Sequence, residues 1–247
     1  PPPPPPPPHL FFFHPHPGIR DSVASRGLGD VYKRQLQDTA NVRWTEAELL
    51  NYINDGQREI VNLKPDATAL HANVQLVTGT KQAIPTDGLR LLSVVRNMSD
   101  ASGGATGGKA IRLVARDILD TQEPSWHDPT VTGDATHGTT PKHFMFDEND
   151  PLNYYVYPGV AGNAYAEIIY SQRPTDLANT SATIAIPDNY SNALIDYCCF
   201  RAFMKDAEFA GNQQRAGAHY QTFTVSVQGK TQIDALIKPD LQVISNG

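Results

Sequence analysis

The stretch from Ala193 to Met204 leaves the chain few ways to fold. It reads Ala-Leu-Ile-Asp-Tyr-Cys-Cys-Phe-Arg-Ala-Phe-Met, and at 3.6 residues per turn its apolar side chains fall on every side of a helix. A helix without a polar face has to be covered all round, in a core or by neighbouring subunits. Pro187-Asp188 ahead of it supplies a stop and a cap, so a helix is expected from there to about Glu208, ended by Gly211. Asp196 and Arg201 lie inside this segment, and a charge there needs a partner, from an adjacent subunit or from the same chain. Asp196, Phe200, Arg201, Phe203 and Met204 are therefore the candidate oligomer-interface residues. Beyond Gly211, Ala216, Tyr220, Phe223 and Val227 recur at spacings of four, three and four. The alternation of Phe223, Val225 and Val227 competes for a strand, but a helix is expected, with 231–247 as a C-terminal tail.

A second helix belongs near the other end. Thr45 followed three residues later by Glu48 is a capping box. Behind it Leu49, Ile53, Ile60 and Leu63 form a stripe that includes Gly56, with Asn51, Asp55, Arg58, Glu59 and Asn62 on the other face. Glycine in a helix interior costs about 1 kcal/mol relative to alanine, so Gly56 implies another element packed closely there. Lys64-Pro65 ends this helix.

Between the helices the period changes. Residues 74–78 and 81–84 around Gly79-Thr80 read as a β-hairpin, 91–98 as a further strand and 111–114 as a short one. A helical turn at 117–121 precedes Pro124-Ser125-Trp126, and strands are expected at 143–146, 153–157 and 166–171. In the middle of these three, Tyr155 and Tyr157 share one face and Tyr154 and Val156 the other. Residues 99–109, with four glycines, and 127–140 read as long loops. The fold class expected is α+β: helices from 36–70 and 187–230 packed as a bundle, with a barrel- or sandwich-like β module at 71–186 inserted between them.

Residues 1–35 stand apart. Pro1 to Pro8 is an unbroken proline run, which has no N–H to donate and favours an extended polyproline rod. Asp21 to Gln35 resembles translated sequencing-adaptor read-through, and the chain begins without Met, as a fragment would. The segment is expected to be disordered and foreign to the fold; the competing reading is a proline-rich recognition tail. It carries Arg20, Arg26, Lys33 and Arg34 against Asp21 and Asp30, so setting it aside moves the formal net charge from −6 to −8. Such a chain repels a phosphate backbone on average, which disfavours sequence-tolerant grip on nucleic acid. No apolar run approaches the roughly 20 residues that span a bilayer, so no membrane partner is expected. Cys198 and Cys199 are adjacent, and a mutual disulfide there would be strained; they read as buried apolar residues in a reducing compartment.

Catalytic patterns are missing: there is no GxSxG, HExxH, CxxC pair, P-loop or dinucleotide fingerprint. His127, His137 and His143 with Asp128, Asp134 and Asp147 match no recurrent ligand spacing, and the turn Asp147-Glu148-Asn149-Asp150 lacks the spacing and glycine of an EF-hand. Trp126 with Tyr154, Tyr155, Tyr157, Tyr165 and Tyr170 could stack a sugar, though aromatics also fill strand cores. No enzyme, cofactor or metal is expected.

Several phrases, taken in order, resemble the head-to-tail adaptor proteins of short-tailed phages. They begin with Leu49-Leu50-Asn51-Tyr52-Ile53-Asn54-Asp55-Gly56-Gln57-Arg58-Glu59-Ile60, then Gly79-Thr80-Lys81-Gln82 with Ile84-Pro85, Arg96-Asn97 and Pro124-Ser125-Trp126. They continue with Tyr155-Val156-Tyr157-Pro158, Tyr170-Ser171-Gln172-Arg173-Pro174, Pro187-Asp188-Asn189-Tyr190, Ala193-Leu194-Ile195-Asp196-Tyr197 and Arg201-Ala202-Phe203-Met204-Lys205-Asp206. The resemblance covers nearly all of 38–228 and departs in the loops 99–109 and 127–140. It implies a virion protein, assembled in the host cytoplasm, that forms a homo-oligomeric ring between portal and tail proteins, with genomic DNA only passing through the lumen. Another tail or minor capsid protein, or a glycan-binding module, are the alternatives.

Overall fold

The computed structural model describes residues 36, 38, 42–99, 107–209 and 211–237, the side chains of 231 and 233–237 excepted. Readings made for 1–35, apart from its boundary, and for 238–247 lie outside these residues. Among the described residues the architecture is α+β, with four helices of more than one turn and two four-stranded sheets.

The first helix, α1 (Glu46–Leu63), opens on the expected capping box. Thr45 Oγ1 accepts from the Glu48 amide at 3.3 Å, and Glu48 Oε2 accepts from the Thr45 amide at 3.1 Å. Its buried side carries Leu49, Ile53, Gly56, Ile60 and Val61. Leu63 was expected on that stripe but is exposed, because the face turns toward Val61 in the last turn. Asn54 and Gln57 are also buried. Asn54 donates to the Leu177 carbonyl and accepts from its amide (3.3 and 2.8 Å), and Gln57 Oε1 accepts from Ala185 N at 2.8 Å. Two amide side chains thus satisfy the backbone of an irregular segment, as burial requires.

The strands are β1 (Ala69–Leu76), β2 (Gly79–Ala83), β3 (Gly88–Met98), β4 (Gly107–Ala110), β5 (Arg112–Leu113), β6 (His143–Phe146), β7 (Asn153–Val160) and β8 (Ala164–Gln172), with a short helix α2 (Arg116–Gln122) after β5. One sheet runs β1-β8-β3-β4 and the other β2-β7-β6-β5. All pairs are antiparallel except β5 with β6. The sheets bury one core, with Leu91, Val94 and Ile168 from the first and Phe144, Tyr154 and Val156 from the second. It is a sandwich with open edges and no closed barrel.

The expected hairpin of 74–78 with 81–84 does not form. β1 pairs with β8 and β2 with β7, so the chain crosses from one sheet to the other at Val77-Thr78. The Gln82 side chain does there what a hairpin ladder would otherwise do. Its Oε1 accepts from Val77 N at 2.7 Å, and its Nε2 donates to the carbonyls of Val77 and Gly79 at 2.8 and 3.2 Å. The glycine-rich loop is also shorter than expected, since Gly107–Ala110 is strand.

Tyr154 and Val156 face the sandwich core, and Tyr157 faces outward as the alternation required. On that outer side Trp126, fully buried, forms a small second core with Leu119, Ala135, Met145 and Tyr157, so the loop at 127–140 is partly packed down.

The chain turns helical again after Pro187. Helix α3 (Ser191–Lys205) follows a single 3-10 turn, and α4 (Asn212–Ile237) follows Gly211, whose φ of +88° suits a residue without Cβ. Helix, not strand, is thus the state of 216–227, and it runs seven residues past Lys230 into the stretch expected to be tail.

A candidate interface on the helical hairpin

Helix α3 is covered chiefly by its own chain. Ala193, Leu194, Ile195, Tyr197, Cys198, Cys199 and Ala202 are buried in one cluster with Trp44, Leu49, Ile53 and Ile60 on one side and Phe223 and Val227 of α4 on another. Of the two covers expected for this helix, a core or neighbouring subunits, the chain supplies the first: α1 and α4 enclose most of it. Gly56 makes the approach possible, since a Cβ there would stand 3.0 Å from both Leu194 Cδ2 and Tyr197 Cδ1. Both cysteines are buried as reduced thiols, and burial pushes Cys199 up to about 12, so neither is a nucleophile at neutral pH.

Asp196 and Arg201 of α3 also find partners within the chain. Arg201 Nη1 donates to Asp55 Oδ2 of α1 at 3.0 Å and to the Tyr197 hydroxyl at 3.3 Å, and its guanidinium lies 5.2 Å from the centre of the Tyr52 ring. Asp196 Oδ1 is 2.9 Å from His219 Nδ1 of α4. Flanking helices on both sides supply what an adjacent subunit had been one way to supply. The end of α3 is held as well: Trp44 Nε1 donates to the Ala202 carbonyl at 3.3 Å, Lys205 reaches Glu48 at 2.7 Å, and Arg43 pairs with Asp206 at 2.5 Å. Lys205 is the main cause that holds the Glu48 carboxyl below the usual glutamate range.

What remains open lies on the outer side of the hairpin. Phe200 and Phe203 are half-buried, Phe203 stacked on His219 and Phe200 against Tyr220. Met204 is 46% exposed, Phe209 58%, Tyr220 40% and Val225 62%, so large apolar side chains stay open on α3, the turn and α4, Tyr220 and Val225 on different sides of α4. Of the expected interface residues, Phe203 and Met204 lie near the end of α3 beside the turn, while Asp196 and Arg201 are committed inward. Phe209 was not singled out from sequence, and Tyr220 and Val225 were read there only as part of a helical stripe and of a competing strand alternation; the low charge of α4 was the available signal. Between Gln213 and Gly229, Arg215 is the one permanently charged side chain. Yet Gln213, Gln214, Gly217, Ala218, Gln221, Thr222, Val225 and Gln228 are all exposed. A solvated helix face normally carries charges and their i,i+4 pairs. This one does not.

Chemistry elsewhere is not assembled. His127 Nδ1 stands 2.7 Å from Thr80 Oγ1 with its ring on Trp126, while His143 stacks on Tyr157. Burial lowers the basicity of both imidazoles. Among the described residues no three His, Cys, Asp or Glu side chains group closely enough to share an ion. Trp126 and Tyr154 are fully buried, so they are core rather than a sugar platform.

Comparison with known families decides the wider class. The SU10 adaptor protein family matches residues 26–240, a span that takes in every helix and strand above and opens inside the segment set aside from the sequence. The chain belongs to the SU10 adaptor protein family. No curated protein matches it. As an SU10 adaptor protein it is an adaptor-type structural protein of a phage, and no helix among its described residues is long and apolar enough to cross a membrane.

Proposed function

We propose that this SU10 adaptor protein is a non-enzymatic head-to-tail connector. Its copies stand side by side in a ring between portal and tail proteins, and the genome passes through the lumen. The observation that carries this is the exposed, nearly uncharged face of α4 around Val225, with Met204 and Phe209 also open at the end of α3 and in the turn, on a chain that already encloses its own helical core. Apolar patches of this kind mark protein contacts. An interface between unlike surfaces, repeated by rotation, closes into a ring. The acidic balance of the chain suits a lumen that DNA slides through without sticking. In this reading the helices, 36–70 and 187–230, meet the portal and the β module at 71–186 extends tailward. No cofactor or metal takes part. The particle is completed in the host cytoplasm and carried in the virion.

Negative-stain imaging of the protein mixed with its portal tests the reading. The wild type is expected to decorate the portal as a ring, and Val225→Asp to lose the ring while its urea midpoint stays within the range of ordinary surface changes, about 0.5 kcal/mol. Undiminished rings with Val225→Asp would remove the hairpin face from the interface, and a wild type that never binds the portal would remove the connector role.

A further inference from the structure

The sandwich is left open along one side. β4 and β5, joined through Ile111, are the edge strands there, and at four and two residues they are too short to shut the space between the sheets. β4 meets β3 only at Arg96 and Met98. Beyond that pairing Val95 O accepts from Ile111 N, and Leu91 N donates to Pro151 O. Between these two bonds, Leu92 to Val94 has no partner strand other than β8 among the described residues. The sheets part here into a groove of about 410 Å³, lined by Leu91 and Leu92 of β3, Leu113 of β5 and Phe144 and Phe146 of β6. Leu113 is 66% exposed. It is a slot between two sheets with apolar walls.

The opposite edge of the first sheet has the complementary defect. β1, Ala-Leu-His-Ala-Asn-Val-Gln-Leu, pairs with β8 from Ser171 to Ala164 without a shift, and only His71 can carry charge. It lacks the short length, lysines and bulges by which edge strands avoid foreign partners. Leu70, Ala72 and Val74 lie opposite Tyr170, Ile168 and Ala166, which are buried, so this row points into the sandwich. Leu70 is nevertheless 39% exposed, and Ala72 and Val74 are only half-buried. One edge thus offers an apolar strand without a cover, and the other an apolar slot without a strand.

The two cannot meet within one chain, because β8 stands between β1 and β3. They can meet between copies. β1 and β3 run in the same direction, both being antiparallel to β8. A second copy rotated about an axis along the strands therefore presents its β1 parallel to β3, as a continuation of the same sheet. Parallel pairs are only slightly less stable than antiparallel ones, and the addition of a strand to a sheet edge takes its affinity from the backbone and its specificity from alternate side chains. Such a contact joins unlike surfaces and repeats from copy to copy, as a closed ring requires.

We propose that β1 of one copy enters the groove beside β3 of the next, so that the β1-β8-β3-β4 sheets of neighbouring copies join edge to edge. Leu70, Ala72 and Val74 then lie over the apolar walls of the groove. Asn73 falls beside Ser93 on the outer face, the side on which Ser93 and His71 flank Ile169. The inference rests on the ring reading and assigns the contact between neighbours, leaving the face of α4 for the portal.

Two single variants of the full chain, Asn73→Cys and Ser93→Cys, are mixed, assembled on the portal and treated with a short bismaleimide. The native thiols at Cys198 and Cys199 are fully buried and stay out of the reaction. A covalent dimer is expected in the mixed sample at least tenfold above either variant alone. Leu113→Asp, at an exposed position, added to the Ser93→Cys chain is expected to abolish the dimer at an unchanged urea midpoint. Rings in the micrographs without a dimer overturn the strand pairing and leave the ring standing. A dimer as strong with Asn73→Cys alone, which would mean two β1 edges paired with each other, overturns the groove as the acceptor, and so does a dimer that survives Leu113→Asp. Absence of rings overturns both readings together.

Discussion

Replacing Gly56 by alanine sets two known effects against each other at one atom. In a helix interior alanine is favoured over glycine by about 1 kcal/mol. The added methyl would stand 3.0 Å from Leu194 Cδ2, 3.0 Å from Tyr197 Cδ1 and 3.4 Å from Tyr197 Cγ, where carbon atoms prefer roughly 3.5–4.0 Å. Neither neighbour has room to retreat. Leu194 is 1% exposed, and the Tyr197 ring is backed by Phe223 at 5.2 Å between centroids, with its hydroxyl held by Arg201. Overpacking of this kind costs about 1–3 kcal/mol, so Gly56→Ala is expected to lower stability by about 1 kcal/mol net, read as a lower urea midpoint at unchanged slope. Leu194→Ala alone should cost about 2–5 kcal/mol. In that background one of the two close contacts is gone and the Tyr197 contact persists, so the glycine substitution should be less harmful by at least about 0.5 kcal/mol. A Gly56→Ala protein more stable by the full helix-propensity gain, or the same change in both backgrounds, would refute the close crossing of α1 and α3.

Two further outcomes follow from the β module. The Tyr154 hydroxyl is buried and finds no hydrogen-bond partner among the described residues, a cost of about 1–3 kcal/mol, so Tyr154→Phe should raise Tm by about 2–4 °C in calorimetry; a lower Tm would show that the hydroxyl is satisfied. Burial holds the His127 and His143 imidazoles below their ordinary value, so the unfolded chain takes up protons first as pH falls past about 6.5. Stability is then full above that pH, declines below it and levels once the folded imidazoles also protonate. His143→Phe should flatten the urea midpoint between pH 7.5 and 5.5, and an unchanged slope there would exclude His143 as a source.

Local signals in the sequence were those in which a residue and its consequence lie within one turn or one strand. The Thr45–Glu48 capping box and the two faces of Tyr154 to Tyr157 are of this kind, whereas Gly56 signalled a close neighbour without naming it, because Leu194 and Tyr197 come much later in the chain. The hairpin around Gly79 failed because a glycine turn between two strands looks the same whether they fold onto each other or part into opposite sheets. The choice is made by β8 and β7, some 70 to 100 residues later, and by the Gln82 side chain. Asn54 and Gln57 were illegible for a related reason: a polar residue on a helix reads as solvent-facing, and their partners at Leu177 and Ala185 are over 120 residues away.

The apolar helix was legible as buried but not as to what buries it, and that difference moves the candidate interface. Composition alone left two covers for α3, the chain's own core or its neighbours. With α1 and α4 around it, the chain has its own helical core, and assembly does not have to supply that core. The requirement shifts outward, to α4, whose long exposed face between Gln213 and Gly229 carries Arg215 as its one permanent charge and Val225 open beside it. A subunit built this way can fold first and dock second, so substitutions at Leu194 or Ile53 should reduce folding and ring formation together, whereas Val225 should affect the ring alone. That separation is what distinguishes a preformed docking face from a helix that folds only in company.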